Sequence, residues 1–302
     1  MSWQFERVAG PFSGVLGGLA WDGKAMLFAA VTEERLMRFD PASGKTEELR
    51  KYTGRVNGLG FGPGGELYGC QEGGRRVIQI ILSDGSSTPM PQVIGGRYHN
   101  HPSDLAVDSQ GRIWFCDPYS AQLAFGPQIF PPLDHASVLR HERNERREWA
   151  MKRITDDTTA PRALALSPDE HTLYLAEGEV GRKGPRELRA YPIREDGSVG
   201  RYVVLHSFGA DHRGEHRGIE GMCLDSEGNI VACSGSRQSG PGPLVSVFAP
   251  SGVILESHAL PGDLPVRCAF GDADLSSLYV STAEGNLYRA KAIGRRGLQR
   301  TK

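Results

Sequence analysis

The sequence predicts an all-β fold, a six-bladed propeller with four antiparallel strands in each blade around a central channel, from three observations. A strand–turn–strand motif occurs six times, at intervals of 40 to 60 residues. A third strand with alternating apolar and polar residues follows each copy. The 39 glycines and 19 prolines supply the turns that many short strands need. Propeller blades repeat every ~40–50 residues, so the longer intervals indicate insertions.

Each motif is a short apolar run, a turn with Gly, Asp or Pro, and an apolar–aromatic strand. The six copies are LAWDGKAMLFAA from Leu19, LGFGPGGELYGC from Leu59, LAVDSQGRIWFC from Leu105, LALSPDEHTLYLA from Leu164, MCLDSEGNIVAC from Met222 and AFGDADLSSLYVS from Ala269. Third strands are predicted at residues 36–40, 77–80, 137–140, 187–191, 245–248 and 286–289. Fourth strands are predicted in five copies, for example at 149–154 and 201–205. A β-sandwich or a pair of stacked barrels is the alternative, but neither repeats one hairpin six times.

The sixth copy has no fourth strand of its own before the chain ends. Residues 3–8 alternate and are predicted to supply it, which closes the ring and leaves no open sheet edge. We therefore predict one propeller domain over residues 1–291. The basic segment AIGRRGLQRTK, residues 292–302, is predicted to be a tail that frays.

Charge and composition exclude several classes of protein. With 35 basic and 36 acidic residues, the chain lacks the basic excess that binding to nucleic acid or to a membrane surface requires. No run approaches the ~18 consecutive apolar residues of a membrane span, and the start MSWQFERVAGPF does not resemble a signal peptide. The five scattered cysteines form no CxxC pair, which disfavours a disulfide framework and a zinc finger. These observations predict a cytoplasmic protein with a small-molecule substrate, and leave a monomer and a dimer equally open.

The residues that enter the six innermost strands are predicted to meet at one end of the channel. Since these strands line the channel and start on the same face, residues far apart in sequence converge there, as a small-ligand pocket requires. The ring consists of Gly17, Asn57, Ser103, Arg162, Glu220 and, within a register uncertainty of one residue, Val266 or Arg267. Around it the sequence places Glu72, His99, Asn100, His101, Asp104 and His216.

The entry loops resemble those of the senescence-marker-protein (regucalcin)/gluconolactonase/luciferin-regenerating-enzyme family, and in particular its bacterial gluconolactonase branch. The resemblance runs from about residue 18 to residue 289. The segments that carry it are GLAWDG, RVNGLGFGPGGELYGCQEGGRRV, NHPSDLAVDSQGRIWFCDP, LALSPDEHTLYLAEGE, IEGMCLDSEGNI and VRCAFGDADLSSLYVST. It implies a six-bladed propeller with one calcium or zinc ion at the channel mouth, which polarises a lactone carbonyl and activates a water.

The chain departs from the ligand set that this resemblance implies. In the family a Glu, an Asn and an Asp from three entry loops hold the metal, and a further Asn contacts the substrate or a metal-bound water. These four residues correspond here to Gly17, Arg162, Glu220 and Ser103, in that order. Only the Asp keeps its chemical type, as Glu220, while Asn57 and Asn100 still match the pattern of the branch.

The substitutions remove two metal ligands and add a permanent positive charge. Calcium needs ~6–8 oxygen ligands and zinc about four, and a guanidinium repels a dication a few Å away. The sequence therefore predicts no tightly bound metal and no cofactor; Glu220 and Asn57 would be the ligands of any ion that did bind. Arg162 is predicted to replace the metal, either by holding Glu220 or by polarising a substrate oxygen. The alternative is a plain salt bridge that plugs an inactive site.

Three residues are predicted to be catalytic: Glu220 as general base, Arg162 as the partner of the oxyanion, and His101 as an acid–base group. Substrate contacts are predicted at Asn57, Asn100, Ser103, Asp104, His216 and Arg267. A second arginine at the mouth, Arg267, would favour an anionic substrate.

A lactonase-like hydrolase of a small cyclic ester, independent of metal or with altered metal use, is the function that the sequence favours. One alternative is a metal-free isomerase, lyase or cyclase that uses Glu220 as base with Arg162. The other is a propeller that binds a small molecule without catalysis. Insertions at about 121–133 and 179–186 are predicted to wall the mouth. The first contains QLAFGPQIFPPL, which indicates an apolar lid and therefore a partly apolar substrate.

Overall fold

A computed structural model describes residues 2–298 and confirms the six-bladed propeller. Six antiparallel sheets of four strands form the blades, and the described residues contain no helix. Each inner strand packs against the inner strands of both neighbouring blades, including the last against the first, so the ring is closed. The channel therefore runs between six inner strands.

The blades are numbered 1 to 6 from the first motif, and the strands within a blade run from the channel outwards. The inner strands are Leu16–Trp21, Val56–Phe61, Asp104–Val107, Pro161–Leu166, Ile219–Leu224 and Pro265–Gly271. The second strands are Met26–Ala30, Leu67–Gln71, Ile113–Asp117, Thr172–Glu177, Ile230–Ser234 and Ser277–Thr282. The third strands are Arg35–Asp40, Arg76–Ile80, Ser137–Arg143, Arg186–Pro192, Leu244–Phe248 and Leu287–Ala290. The outer strands are Lys45–Lys51, Ser87–Pro89, Trp149–Arg153, Val203–Phe208, Ile254–Ala259 and, in blade 6, Phe5–Ala9.

The outer strand of blade 6 comes from the N-terminus, as the sequence predicts. Phe5–Ala9 pairs antiparallel with Leu287–Ala290, and the chain ends of the propeller meet in one sheet. The Trp3 ring stacks on His258 of blade 5 at 4.0 Å between ring centroids, and its amide donates to His258 Nδ1 at 3.2 Å. The closing strand is thus tied to two blades.

The core lies between the blades, in six apolar clusters that each join two neighbouring sheets. The second strands are the most buried, because they have a sheet neighbour on each side and a packed blade on each face. The five cysteines are all unpaired, and four of them are buried in this core. This is the environment in which a free cysteine acts as a small apolar side chain.

The described part of the tail is packed against the lower ends of blades 5 and 6. The Arg295 guanidinium contacts Asp225 Oδ2 at 2.6 Å and also pairs with Glu256. The Gly297 amide donates to the Leu275 carbonyl at 2.9 Å. Residues 292–298 are therefore held rather than frayed, because their arginines meet carboxylates on the blade ends. Residues 299–302 of the predicted tail lie outside the described residues, and the boundary at 291 remains a prediction.

Two short ribbons extend the connections that follow blades 2 and 4. They are formed by Val93–Ile94 with Arg97–Tyr98 and by Ala210–Asp211 with Gly214–Glu215. Within residues 2–298 there is no helix of the length and apolarity that crossing a membrane requires.

Candidate active site at the channel mouth

The mouth of the channel is the face on which the inner strands begin. Since the strands of a blade are antiparallel, the loops that link the second and third strands lie on the same face. Both predicted insertions belong to such loops, in blades 3 and 4. Residues from the entry loops and from these insertions therefore meet around one opening.

A β-bulge marks the ring position in five of the six inner strands. The pairing with the second strand skips a residue at Asn57, Arg162, Glu220 and Val266, and is irregular between Leu16 and Leu19. Bulges re-aim side chains and are common beside active sites. They turn the ring residues out of the regular pleat. The register uncertainty at blade 6 is resolved in favour of Val266, while Arg267 is the next, paired residue.

An ion pair joins the inner strands of blades 4 and 5. Arg162 Nη2 lies 2.5 Å from Glu220 Oε2, and Arg162 Nη1 lies 3.4 Å from Glu179 Oε1 of the blade 4 insertion. Glu220 Oε1 has a second cation, Arg217 Nε, at 3.4 Å. Glu179 in turn pairs with Arg182 at 2.7 Å. Five alternating charges thus cross this half of the mouth, which we call the charged half.

The electrostatics of the charged half fix the protonation states. Burial alone would raise the pKa of Glu220, but the Arg162 and Arg217 guanidiniums outweigh it and hold that pKa below its ordinary value. The Glu220 carboxylate raises the pKa of Arg162 further above neutrality. Glu220 is therefore an ionised, buried carboxylate whose oxygens already face cations, and this makes it a weak proton acceptor.

Arg267 lies below the mouth and links three blades across the channel. Its guanidinium donates to the carbonyl oxygens of Glu220 and Ser103, the latter at 2.9 Å, and its Nε is 3.4 Å from Asp104 Oδ1. Asp104 Oδ2 also accepts from the Leu164 amide at 3.2 Å. Burial raises the pKa of Asp104 in spite of Arg267. These two side chains form a floor to the site, and their groups are largely committed to the protein.

The opposite side of the mouth, from blades 2 and 3, carries polar atoms without partners. In the described chain Asn57 Oδ1, Ser103 Oγ and both ring nitrogens of His101 are buried and make no hydrogen bond. Burial lowers the pKa of His101, so the imidazole is neutral at neutral pH. Buried polar atoms are normally satisfied, so such a group indicates a bound ligand or water. We call these residues the polar half.

Asn100 and His216 lie in the walls of the site. The Asn100 backbone amide donates to Asp117 Oδ2, and its side-chain amide donates to the His135 carbonyl at 2.7 Å. The His216 ring packs beside Gly240 and lies 3.8 Å from Asp211. Their contacts are with the loops that frame the mouth.

Two arginines of the site were not predicted from the sequence. Arg217 precedes Glu220 by three residues in HRGIEG, and this spacing on an entry loop was an available signal. Arg55 stacks on the Phe125 ring at 4.5 Å and donates from Nη2 to the Leu123 carbonyl at 2.7 Å. It therefore anchors the blade 3 insertion, and only the folded chain reveals this contact.

The two insertions wall the mouth. Ser120 Oγ donates to Glu72 Oε1 at 2.8 Å, and Arg182 Nη2 donates to the Tyr119 carbonyl at 3.3 Å. Beyond these anchors the blade 3 insertion exposes apolar side chains, with Leu123 at 85% and Ile129 at 75% of their accessible surface. An apolar rim of this kind is the surface that an apolar substituent of a substrate would contact.

The residues at the mouth do not fit a divalent cation. A Cβ added at Gly17 would lie 2.6 Å from the Asn57 carbonyl oxygen and 2.8 Å from Val31 Cγ2, so no carboxylate side chain is accommodated there without a backbone shift. Arg162 brings a guanidinium to Glu220. Across residues 2–298 no three or more of His, Cys, Asp and Glu are grouped as metal ligands.

Comparisons of the sequence and of the structure with known proteins agree on one group of relatives. The protein-family model for the SMP-30/Gluconolactonase/LRE-like region matches residues 17–284 of this chain. A gluconolactonase of Zymomonas mobilis is 26% identical over 238 residues, which is 78% of this chain and only 62% of the length of that relative. A 6-deoxy-6-sulfogluconolactonase of Pseudomonas putida is 26% identical over 87% of this chain and 80% of its own. Among solved structures, a gluconolactonase from Xanthomonas campestris superposes with a TM-score of 0.77 at 24% identity, over 96% of this chain and 89% of that one.

Proposed function

Since this chain belongs to the SMP-30/gluconolactonase/LRE-like family, we propose that it is a hydrolase of a small lactone, acting at the channel mouth. Two relatives named as lactonases support this reaction class. The observation on which the proposal depends is the contact of 2.5 Å between Arg162 and Glu220 at the mouth. We also propose a cytoplasmic location, which suits the five unpaired cysteines.

Arg162 polarises the lactone carbonyl. Its guanidinium is fixed by Glu220 on one side and Glu179 on the other, so its remaining N–H groups are held without the freedom of an exposed arginine. Arg217, on the other oxygen of Glu220, strengthens the positive field at the same place. A preorganised donor aimed at a developing oxyanion contributes roughly 10²–10³ in rate.

His101 accepts the proton of the water that attacks the lactone carbonyl carbon, and returns it to the ring oxygen when the acyl C–O bond breaks. Glu220 was the base predicted from the sequence, but its two cations keep its pKa low and occupy its oxygens, whereas a general base works best with a pKa near the operating pH. His101 is neutral because burial lowers its pKa, and neither ring nitrogen has a partner in the described chain. With His101 as the base, the role of Glu220 is to hold the Arg162 guanidinium in position.

No step of this mechanism passes through a metal. The family resemblance implies one, yet Gly17 and Arg162 stand at two of its ligand positions. Hydrolysis by the charged and polar halves alone is therefore the reaction proposed. The substrate class is a lactone with an apolar substituent, supported by the exposed Leu123 and Ile129.

The first prediction concerns activity on a panel of five- and six-membered lactones, with and without a chelator. We expect hydrolysis that resists the chelator. Arg162→Gln should lower kcat/KM by roughly 10²-fold, since one oxyanion donor is lost. His101→Gln should lower kcat and remove the decrease in rate at acid pH that protonation of the imidazole causes.

Arg7→Gln, an exposed arginine on the outer strand of blade 6, is the control and should retain full activity. Loss of activity on chelation, restored by calcium or zinc, would contradict the mechanism and restore a metal-dependent one. Absence of turnover together with tight binding of a small acid would instead favour a binding propeller. Isomerised or eliminated products would favour the isomerase or lyase alternative.

A further inference from the structure

A cavity opens on the mouth face outside the ring, at the top of blade 2. Its volume is about 440 Å³, within the range of roughly 300–1,000 Å³ of small-molecule sites. It lies between the loops of blade 2 and the blade 3 insertion, and Tyr52, Arg75, Arg76, Tyr98, Phe125 and Gln128 are among its lining residues. None of the ring residues of the mouth lines it.

Arg75 brings a buried positive charge to this cavity. The residue is 7% exposed; its Nε donates to the carbonyls of His99 and Asn100 at 3.0 and 3.2 Å, and its Nη1 donates to Gln128 Oε1 at 3.1 Å. In the described chain it forms no ion pair with a carboxylate. Burial lowers the pKa of this guanidinium and outweighs the opposing field of the Asp117 carboxylate. A buried unpaired cation is unfavourable, and an anion in the cavity would relieve it.

Arg76 adds a second guanidinium. Its Nε contacts Gln71 Oε1 at 2.5 Å, and within residues 2–298 it too lacks an ion pair. Glu34 also lines the cavity but pairs with neither arginine. Within the described residues Arg75 Nη2 and both Nη atoms of Arg76 make no hydrogen bond. Guanidinium groups bind carboxylates through paired hydrogen bonds.

Aromatic rings line the remaining walls. The Tyr98 ring lies 5.6 Å from the Arg75 guanidinium carbon. Tyr52 and Phe125 expose 84% and 46% of their surface at the cavity rim. Exposed rings beside a cavity bind flat apolar groups, because stacking removes apolar surface from water.

We infer that this cavity is a second ligand site, specific for an aromatic carboxylate. The carboxylate binds Arg75 and Arg76, and the ring stacks among Tyr52, Tyr98 and Phe125. The site is independent of the hydrolysis proposed for the mouth. Failure of one proposal therefore leaves the other standing.

The second prediction uses calorimetric titration of three compounds: 2-naphthoate, the neutral 2-naphthalenemethanol, and gluconate, a carboxylate without a ring. We expect saturable binding of one 2-naphthoate per chain. Binding of each of the others should be at least about ten-fold weaker, since the alcohol lacks the carboxylate and gluconate lacks the aromatic ring. Arg76→Gln should weaken 2-naphthoate about ten-fold, and Tyr52→Ser by a few-fold. Arg75 is left intact because it holds two backbone carbonyls.

Arg201→Gln is the matched control, an arginine that lines a different cavity, of about 520 Å³, at the rim of blades 3 and 4. It should bind 2-naphthoate as the native chain does. Unchanged binding in Arg76→Gln, equal binding of gluconate, or no saturable binding of 2-naphthoate would each overturn the inference. Loss of binding in Arg162→Gln with retention in Arg76→Gln would place the ligand in the mouth and would also overturn it.

Discussion

Glu220 shows how one side chain can be ionised and still be a poor base. Its carboxylate is buried, which favours protonation, yet Arg162 and Arg217 hold its pKa down. A desolvated ion pair seldom stabilises a fold more than apolar packing would. This favours a role for the Arg162–Glu220 pair in handling a ligand. The unpartnered nitrogens of His101 provide the proton acceptor that Glu220 does not.

Another buried histidine controls the stability of the fold in acid. His141 is fully buried in blade 3 and stacks on Phe115 at 5.1 Å between ring centroids; neither of its ring nitrogens has a partner in the described chain. Burial lowers its pKa to about 3, against about 6.5 for an ordinary histidine. The unfolded chain therefore binds this proton more readily than the folded one. The contribution to stability is complete above pH ~6.5 and is lost as pH falls towards 3.

The third prediction follows from this pKa difference. Between pH 7 and pH 5 the native chain should lose about 2 kcal/mol of unfolding free energy through His141 alone. In His141→Leu that loss should be absent, because the side chain no longer titrates. Urea unfolding across this pH range measures both. Parallel curves for native and variant protein would contradict the assignment.

At the scale of the strands, the sequence predicted positions better than backbone detail. The outer strand of blade 4 was predicted at 201–205 and lies at Val203–Phe208, and the third strand of blade 6 is shifted by one residue to Leu287–Ala290. Alternation of apolar side chains locates a strand but does not reveal a bulge, which leaves the pattern of residue types unchanged. This is why Val266 and Arg267 were indistinguishable as ring residues until the pairing with Thr282 and Ser281 was known.

The strand that closes the ring is the element on which the fourth prediction depends. Trp3 is 7% exposed and stacks on His258, so Trp3→Ala removes a buried ring that holds Phe5–Ala9 in blade 6. We expect a loss of about 3 kcal/mol of unfolding free energy, as for other buried large-to-small changes. Val253→Ala, at 59% exposed, is the control and should change stability by less than about 0.5 kcal/mol. A Trp3→Ala chain as stable as this control would show that the closing strand contributes little.

At the scale of the whole molecule, six separate segments converge because a closed ring forces the starts of all inner strands onto one face. The repeat therefore predicted that residues 162 and 220, which lie in different blades, share one ring. Their contact was predicted from the family resemblance, as one of two roles for Arg162, and the structure shows it. The positions of Arg55, Arg75 and Phe125 could not be predicted from the repeat. Their contacts depend on the path of an inserted loop, and no repeat describes that path.

The fifth prediction tests whether the ring as a whole retains a metal site. An ion whose free concentration is a hundred times its dissociation constant stabilises the folded chain by about 2.7 kcal/mol. In a protein of this size that raises Tm by several degrees. We expect calcium, zinc and chelator each to shift the Tm of the native chain by less than about 1 °C, since Gly17 supplies no carboxylate and Arg162 repels a dication. Arg162→Asn should behave in the same way, because removing the cation does not create the missing ligand beside the Asn57 carbonyl. A saturable rise in Tm with calcium, reversed by chelator and lost in Glu220→Gln, would show that the mouth assembles a metal site from other groups.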